Sequence, residues 1–347
     1  CQEEITLDIP QAQSKLVVEG SIEPGYPPYL ILTKNQGYFD AIDMDTYSNL
    51  FFEDSEIDSI KVWYIDNSGK EHARYLTRIQ PEFAETFIGI DIPLYTIDED
   101  TTENIESVFD FLKNPGEYSF SQAGRTYYLE IKWNNQIITA ETFIPIPTPL
   151  DCVWVQKNET AEKDHKYDIR AIYADPSSKQ NNILIKSKRL QHSQWLSKDS
   201  LACETETISD FPLQLLDAGS DVLINGERFE TYFPRPKEEG FPTGAYNIEH
   251  TKYCNNGEPK TFEKDIVLVK FCQIDEPSMK FWRGLIRQKG TNGNPFAEPK
   301  NLASNINGGL GNWTGYGAVY YRVPVEIDKV VEIQYTTEEG MKITDIF

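Results

Sequence analysis

The sequence predicts a mainly β protein, in which an N-terminal immunoglobulin-like β-sandwich is followed by a second β-rich domain with one short helix. Three observations support this class. Tyr and Phe dominate an aromatic content of 12%, and both are favoured in strands. Short apolar runs alternate with Gly, Pro and Asn turn signals along most of the chain. A helical spacing of apolar residues stands out in only two places.

Residues 15–148 are predicted to form the immunoglobulin-like sandwich. A length of 347 residues suits two domains or one large one. The three prolines Pro145, Pro147 and Pro149 cannot lie in a central strand, so we place the domain boundary there. The predicted strands before it are residues 15–20, 29–33, 60–65, 72–76, 127–133 and 136–143. Residues 66–70 and Asn134-Asn135 are the predicted hairpin turns.

One inserted helix is predicted within this region. Four apolar residues at i, i+3, i+4 and i+7 place it over residues 105–112. Asp100 and Glu103 would form its capping box. The carboxylate pair Asp98/Asp100 would also suit a calcium site or a glycosidase, but a solvated helix start explains the pair better.

The second domain is predicted over residues 149–347. Its strongest hairpin signal is Asn225-Gly226, which separates two strand-like runs over 221–224 and 227–233. Residues 265–274 are apolar at both alternating positions and predict a central strand. A helix is predicted over 277–289, because Pro277 suits a first turn and the basic residues before Gly290 suit a last one.

The five cysteines divide into three groups. Cys203 and Cys254 lie in polar, loop-like surroundings and could form a disulfide, although four cysteines besides Cys1 allow three connectivities. Cys152 and Cys272 lie in apolar, strand-like runs and are expected to be buried thiols. No Cys/His spacing typical of zinc occurs, so no metal is predicted.

The net charge and the hydropathy of the sequence limit the kinds of partner that can be expected. A net charge of −22 should repel polyanions, so no nucleic-acid partner is expected. No apolar run of about 20 residues occurs, so no transmembrane helix is predicted.

The chain starts Cys1-Gln2-Glu3-Glu4. A processed bacterial lipoprotein starts with an acylated Cys, whose chains anchor it by about 0.8 kcal/mol per buried CH₂. The alternative is an arbitrary start at this residue. Residues 1–14 are predicted to be a lipid-anchored tether. Gln2, Glu3 and Glu4 resemble the signal that sends some lipoproteins of the Bacteroidota group to the outer face of the outer membrane.

Four segments, in order along the chain, follow the pattern of one known family. The first is Cys1-Gln-Glu-Glu-Ile-Thr-Leu-Asp-Ile-Pro with Lys15-Leu-Val-Val-Glu-Gly. The second comprises Gly116-Glu-Tyr, Gly124-Arg-Thr-Tyr-Tyr-Leu-Glu-Ile, Ile138-Thr-Ala-Glu-Thr-Phe-Ile-Pro and Leu150-Asp. The third is Asp221-Val-Leu-Ile-Asn-Gly-Glu-Arg-Phe, and the fourth is residues 301–316. Together they resemble the Bacteroidota outer-membrane lipoprotein family known as domain of unknown function 4249. The segment 40–112 is longer and more acidic than this family leads us to expect.

The resemblance implies a lipoprotein of the cell surface or outer membrane, and an accessory partner of SusC/SusD-type nutrient importers. It implies no catalytic residues. The sequence agrees, since it contains no GxSxG and no HExxH. The four histidines at 72, 165, 192 and 250 are expected to be exposed surface residues.

One stretch near the C-terminus could contact a ligand or partner. The turn-like run Gly308-Gly309-Leu310-Gly311 is not a phosphate loop, because it lacks the GK[ST] signature. Trp313, Tyr316 and Tyr320 follow it and could form such a contact. Core packing explains most of them better.

The function predicted from the sequence is that of a non-enzymatic, surface-exposed outer-membrane lipoprotein without cofactors. Its expected partners are the outer-membrane lipid, through Cys1, and SusC/SusD-type TonB-dependent importer subunits, to which it would contribute ligand capture or complex assembly. The alternative is a stand-alone surface glycan-binding protein or hydrolase.

Overall fold

The structure is a computed structural model that describes residues 14–35, 50–52, 56–79, 94–97, 119–157, 167–195, 204–210, 213–222, 224–233, 246–253, 266–291 and 301–324. These residues form three sheets and one helix, α1 (Glu276–Thr291), which confirms the predicted mainly β class. The immunoglobulin-like topology stays a prediction. The strands are β1 (Leu16–Ile22), β2 (Tyr29–Lys34), β3 (Ile57–Ile65), β4 (Glu71–Arg78), β5 (Leu94–Ile97), β6 (Arg125–Trp133), β7 (Gln136–Ile144), β8 (Cys152–Lys157), β9 (Tyr167–Ala174), β10 (Asn182–Trp195), β11 (Glu204–Asp210), β12 (Gln214–Ser220), β13 (Arg228–Phe233), β14 (Tyr246–Tyr253), β15 (Ile266–Ile274), β16 (Ile306–Asn307), β17 (Leu310–Gly315) and β18 (Gly317–Pro324).

The first sheet has nine strands in the order β16-β7-β6-β3-β4-β5-β2-β1-β17. Its two end strands, β16 and β17, are joined by a short turn at Gly308, whose φ is 84°. Asn305 links the two ends of the sheet through side-chain hydrogen bonds. Its Oδ1 accepts from Trp313 N at 2.9 Å, and its Nδ2 donates to Trp313 O at 2.7 Å and to Glu141 O on β7 at 3.3 Å. The sheet therefore folds back on itself around one apolar core.

The hairpins predicted in this sheet are confirmed. β3 pairs with β4 across the predicted loop, where Asp66 Oδ1 accepts from Ser68 N at 2.8 Å and from Lys70 N at 3.0 Å. β6 pairs with β7 across Asn134 and Asn135, whose φ angles are 49° and 58°. Positive φ at both central residues is what a two-residue hairpin turn requires, and Asn tolerates it well.

The other two sheets pack face to face. A six-stranded sheet runs β14-β11-β10-β15-β18, with β12 also paired to β10, and a three-stranded sheet runs β13-β9-β8. Val267, Val269 and Phe271 on β15 pack with Ile169 and Tyr173 on β9 in one core. The side chains of β15 that alternate with these belong to separate clusters. Both faces of β15 are buried, as the sequence predicts for a central strand.

The hairpin predicted around Asn225-Gly226 is wrong. Residues 222 and 224–226 form turns, and the strands on either side join different sheets, since β12 pairs with β10 and β13 pairs with β9. Side-chain hydrogen bonds hold this connection. Asp175 Oδ2 accepts from Gly226 N at 2.8 Å, and Asp221 Oδ2 accepts from Asn181 N at 2.6 Å. These tertiary bonds, rather than a cross-strand ladder, satisfy the turn backbone.

The predicted helix is confirmed. Asp275 caps α1, because its Oδ1 accepts from Ser278 N at 3.0 Å and so satisfies a first-turn donor. Its Oδ2 accepts from Thr142 Oγ1 at 2.8 Å and Phe143 N at 3.1 Å, both on β7. The same carboxylate therefore starts the helix and fixes it to the first sheet.

The sheets do not follow the predicted domain division at every point. β16 and β17 complete the first sheet, although the sequence places residues 306–315 in the second predicted domain. The reason is the long-range pairing of β17 with β1, in which Val17 faces Leu310 and Ile22 faces Gly315. The boundary at residue 148 stays a prediction.

Candidate functional site

An open groove of about 870 Å³ lies between α1 and the β1–β17 pair. Ligand sites in proteins commonly occupy clefts of about 300–1,000 Å³. The walls are mainly apolar side chains, and polar groups stand among them. The lining residues are Lys15, Val17, Val18, Glu19, Asn35, Phe281, Trp282, Leu285, Gln288, Asn301, Leu302, Ser304, Leu310 and Gly311.

The strand wall follows from the period-2 pattern of β1. Leu16 and Val18 are fully buried in the core of the first sheet, whereas Glu19 is exposed and Val17 is half-buried. Alternate side chains of a strand point to opposite faces, so Lys15, Val17 and Glu19 share the groove face. Asn35 fixes the start of this row, because its Oδ1 accepts from Lys15 N at 2.5 Å and its N donates to Lys15 O at 3.1 Å.

The helix wall follows from the spacing of α1. Phe281, Leu285 and Gln288 are spaced i, i+4, i+7 and therefore line one face. Gly284 lies between them, and a Cβ there would come within 3.1 Å of Leu302. The absence of a side chain at 284 lets Leu302 approach the helix and narrow the groove.

The back of the groove leads to a buried charged cluster, which we call the Glu23 junction. Trp282 lines the groove and donates from Nε1 to Thr314 Oγ1 at 3.2 Å. Behind it, Lys270 Nζ on β15 forms an ion pair of 2.6 Å with Glu23 Oε2, and only 1% and 6% of their side chains are exposed. Tyr320 on β18 donates to Glu23 Oε1. Glu23 follows β1, so the junction joins the first sheet to the six-stranded sheet.

Buried aromatic rings surround the lysines of the junction. Lys270 Nζ lies 4.6 Å from the ring centroid of Tyr316 and 5.2 Å from that of Tyr320. Such contacts stabilise an ammonium group. Burial acts most strongly and lowers the pKa of Lys270, but Glu23, Cys272 and Tyr29 together outweigh it, so the pKa is raised. Burial also raises the pKa of Tyr320. Lys270 is therefore protonated at neutral pH.

The positive charge of Lys186 is balanced less well by nearby negative charge than that of Lys270. Lys186 faces Lys270 across the β10–β15 ladder, and its Nζ lies 4.4 Å from the ring centroid of Trp282 and 3.3 Å from Tyr316 Oη. None of the described carboxylates forms an ion pair with it. Burial, together with the charge of Lys270, lowers the pKa of Lys186 to about 8.

We expect Lys186→Met to stabilise the protein at pH 7 by about 1–2 kcal/mol, because an apolar isostere removes a buried charge. Lys186 has a pKa of about 8 when folded against 10.5 ordinarily, so the unfolded chain binds the extra proton between these values. Its contribution to stability therefore rises with pH from about 8. Cys272, whose pKa burial raises to about 12 from 9.0, opposes this rise above pH 9.

Urea unfolding between pH 7 and 9 checks this expectation. The wild type should gain stability across this range relative to Lys186→Met. Lys70→Met, at an exposed lysine of the β3–β4 loop, controls for the change in net charge and should leave the slope unaltered. A Lys186→Met protein less stable than the wild type at pH 7 would show that the contacts with Trp282 and Tyr316 outweigh the cost of burial.

The aromatic residues predicted to contact a partner are core residues instead. Trp313 is 0% exposed, Tyr316 2% and Tyr320 6%. Trp313 packs in the core of the first sheet, while Tyr316 and Tyr320 contact Lys270 of the Glu23 junction. In this structure none of them presents its ring to solvent. The alternative of core packing therefore describes all three.

Several other predicted residues lie outside the described part of the chain. These are Cys1, Gln2, Glu3, Glu4, Asp98, Asp100, Cys203, Cys254, His165 and the helix over 105–112. Among the described cysteines, Cys272 is a buried free thiol as predicted, and Cys152 is a free, partly buried one. His72 is partly buried and hydrogen-bonded through Nε2 to Asp66 Oδ2 at 2.8 Å, so it belongs to the β3–β4 hairpin.

The described residues contain no group of three or more His, Cys, Asp or Glu side chains that could hold a metal ion. In the same part of the chain, no helix has the length and hydropathy needed to cross a bilayer. The run 308–311 forms the β16–β17 turn and the start of β17 rather than a phosphate loop.

Sequence reasoning missed the groove and the Glu23 junction. The signal that was present is Lys270 in the middle of an apolar run on β15, where a charge interrupts an otherwise buried strand. Lys186 and Lys188 likewise interrupt the strand-like run 182–190. A buried lysine needs a partner, but the sequence does not reveal that Glu23 supplies it.

The family described as Domain of unknown function (DUF4249) matches residues 2–322. No curated protein matches the chain. The matched range includes both walls of the groove and every residue of the Glu23 junction.

Proposed function

Because the chain belongs to the family Domain of unknown function (DUF4249), we propose that it is a non-enzymatic, surface-exposed outer-membrane lipoprotein. In this proposal it serves a SusC/SusD-type TonB-dependent nutrient importer as an accessory subunit and contributes to ligand capture. Cys1 carries the acyl chains, and Gln2, Glu3 and Glu4 direct export to the outer face. The resemblance of the four segments to lipoproteins of this kind supports this part of the proposal.

The observation that carries the binding role is the groove between α1 and the β1–β17 pair. It is concave, largely apolar and of ligand-site size, which is the usual form of a binding site. Its lining residues include no Cys or His, and its ionisable side chains are Lys15 and Glu19. A nucleophile with an adjacent base is the usual mark of covalent catalysis, and this lining does not contain one.

The Glu23 junction supports a role for the groove as a rigid site. The ion pair between Lys270 and Glu23 and the bond from Trp282 to Thr314 connect the groove wall to both large sheets. A pre-organised site loses less entropy when a ligand binds. The walls of the groove are therefore held before the ligand arrives.

Affinity capture from detergent-solubilised outer membranes tests the importer association. We expect the full-length protein, expressed with its native leader and mildly cross-linked, to recover SusC-type and SusD-type subunits in constant ratio. An unrelated surface lipoprotein with the same tag is the control. Recovery of the protein alone, from membranes in which the importer is expressed, would contradict the association.

Lipid anchoring through Cys1 can be tested in the same cells that express the full-length protein. We expect Cys1→Ala to leave the unfolding midpoint unchanged and to move the protein from the detergent phase to the aqueous phase. Replacing Glu3 and Glu4 with Ala should leave the protein lipidated but protected from protease added to whole cells. A Cys1→Ala protein that stays in the membrane without the importer would contradict anchoring through this residue.

A further inference from the structure

The groove carries one charge of each sign, and the two charges are separated by an apolar strip. Lys15 and Glu19 lie on the groove face of β1 with Val17 between them. Four residues of extended chain, at about 3.3 Å each, separate their Cα atoms by about 13 Å. Phe281 and Leu285 line the opposite wall.

Neither charge has an ion-pair partner among the described residues, although the Glu19 carboxylate acts at longer range on Lys186. Both side chains are exposed, and no ion pair joins Lys15 or Glu19 to another residue in the described ranges. The surrounding apolar wall lowers the local polarity, which strengthens the attraction of each charge for a complementary ligand group.

The carboxylate of Glu19 offers two acceptor oxygens at one end of the groove, and Lys15 offers an ammonium donor at the other end.

From this arrangement we propose that the groove binds a short, apolar peptide with free termini, in an extended conformation along β1. Its α-ammonium group lies at Glu19, and its α-carboxylate lies at Lys15. Four extended residues span about 13–14 Å, which matches the separation of the two charges. Leu, Ile or Phe side chains of the peptide pack on Val17, Phe281 and Leu285. This inference rests on the proposed function and gives it a ligand class.

The charge pattern favours this ligand over others. A polyanion would meet only one lysine in the groove and a chain of net charge −22. A neutral glycan would use neither charge and would leave the apolar walls facing hydroxyl groups. A zwitterion with an apolar body complements both charges and the walls between them.

Isothermal titration calorimetry on the full chain tests this ligand class. The probe is the tetrapeptide Ala-Leu-Ala-Leu with free termini. We expect acetylation of its N-terminus or amidation of its C-terminus to weaken binding roughly ten- to hundredfold, as loss of a charge-assisted hydrogen bond does. Cellotetraose should not bind. Equal binding of the free and doubly capped peptides would overturn the role of the charges, and no binding at about 1 mM peptide would overturn the inference.

Charge-reversal variants add a test within the protein. Lys15→Glu and Glu19→Lys should each weaken binding of the free tetrapeptide roughly ten- to hundredfold. The double variant Lys15→Glu/Glu19→Lys should recover most of the affinity, because the peptide can bind in the opposite direction. Lys132→Glu, at an exposed site on β6, is the matched control and should bind as the wild type does. A double variant as weak as either single variant would contradict recognition of the two termini.

The two proposals fail separately. Importer subunits recovered by affinity capture, with no peptide binding, would refute only the ligand class. Peptide binding without recovery of any importer subunit would refute the accessory role and leave the site in place.

Discussion

Glu23→Ala is expected to lower the free energy of unfolding by about 3–5 kcal/mol, the range observed when one partner of a buried ion pair is removed. The substitution removes the carboxylate that pairs with the buried Lys270, which lies beside Lys186. It also removes the acceptor of the Tyr320 hydroxyl group. Urea unfolding at pH 7, followed by circular dichroism, measures the loss.

Two further variants make this expectation specific. Glu71→Ala removes a carboxylate from an exposed pair with Lys61, in which half of the Glu71 side chain is accessible, and should cost less than about 1 kcal/mol. The double variant Glu23→Leu/Lys270→Met should recover most of the stability lost in Glu23→Ala, since neither buried charge remains. A Glu23→Ala protein as stable as Glu71→Ala would show that the junction contributes little to the fold.

Gly311→Ala is expected to be about as damaging, with a loss of about 4 kcal/mol or more, because it combines backbone strain with overpacking. The φ angle of Gly311 is 98°, in the region that L-residues avoid, and a Cβ there would lie 1.9 Å from Val18 O. Room for it requires β1 and β17 to separate. The strand wall of the groove would be displaced with them.

Gly69→Ala is the matched control for this variant. Gly69 has a similar φ of 82°, but no atom lies within 4 Å of the added Cβ. Gly69→Ala should lower the free energy of unfolding by only about 1–2 kcal/mol, which is the cost of the left-handed conformation for an L-residue. The difference between the two variants therefore measures the close approach of β1 to β17. Equal losses would show that strain alone accounts for both.

Local patterns in the sequence predicted local structure well. The helix was found because Pro277 and the apolar stripe of α1 are encoded within a few residues. The β3–β4 and β6–β7 hairpins were found for the same reason, since their turns depend on Gly, Asn and Asp at fixed positions. Each of these elements needs only its own neighbours in the chain.

The features that the sequence did not predict depend instead on residues that are distant from one another in the chain. Asn225-Gly226 is a good hairpin signal, but here the turn donates to Asp175, which belongs to a different connection. The groove forms only when β17 pairs with β1, and no periodicity in either strand predicts that pairing. Core packing was the favoured interpretation for most of Trp313, Tyr316 and Tyr320, and all three are buried, but the sequence could not show which distant strands bury them.

The pairing of β1 with β17 also has a consequence for the order in which the protein can fold. During synthesis, β1 leaves the ribosome before the other described strands of its sheet, and β17, which covers its open edge, is made last among them. Chains rich in such distant contacts fold slowly, because the loop between the partners must close first. Until it closes, β1 keeps an exposed edge that can pair with another chain. The N-terminal sheet is therefore a late product of folding, and its strands depend on protection from aggregation until residue 315 is in place.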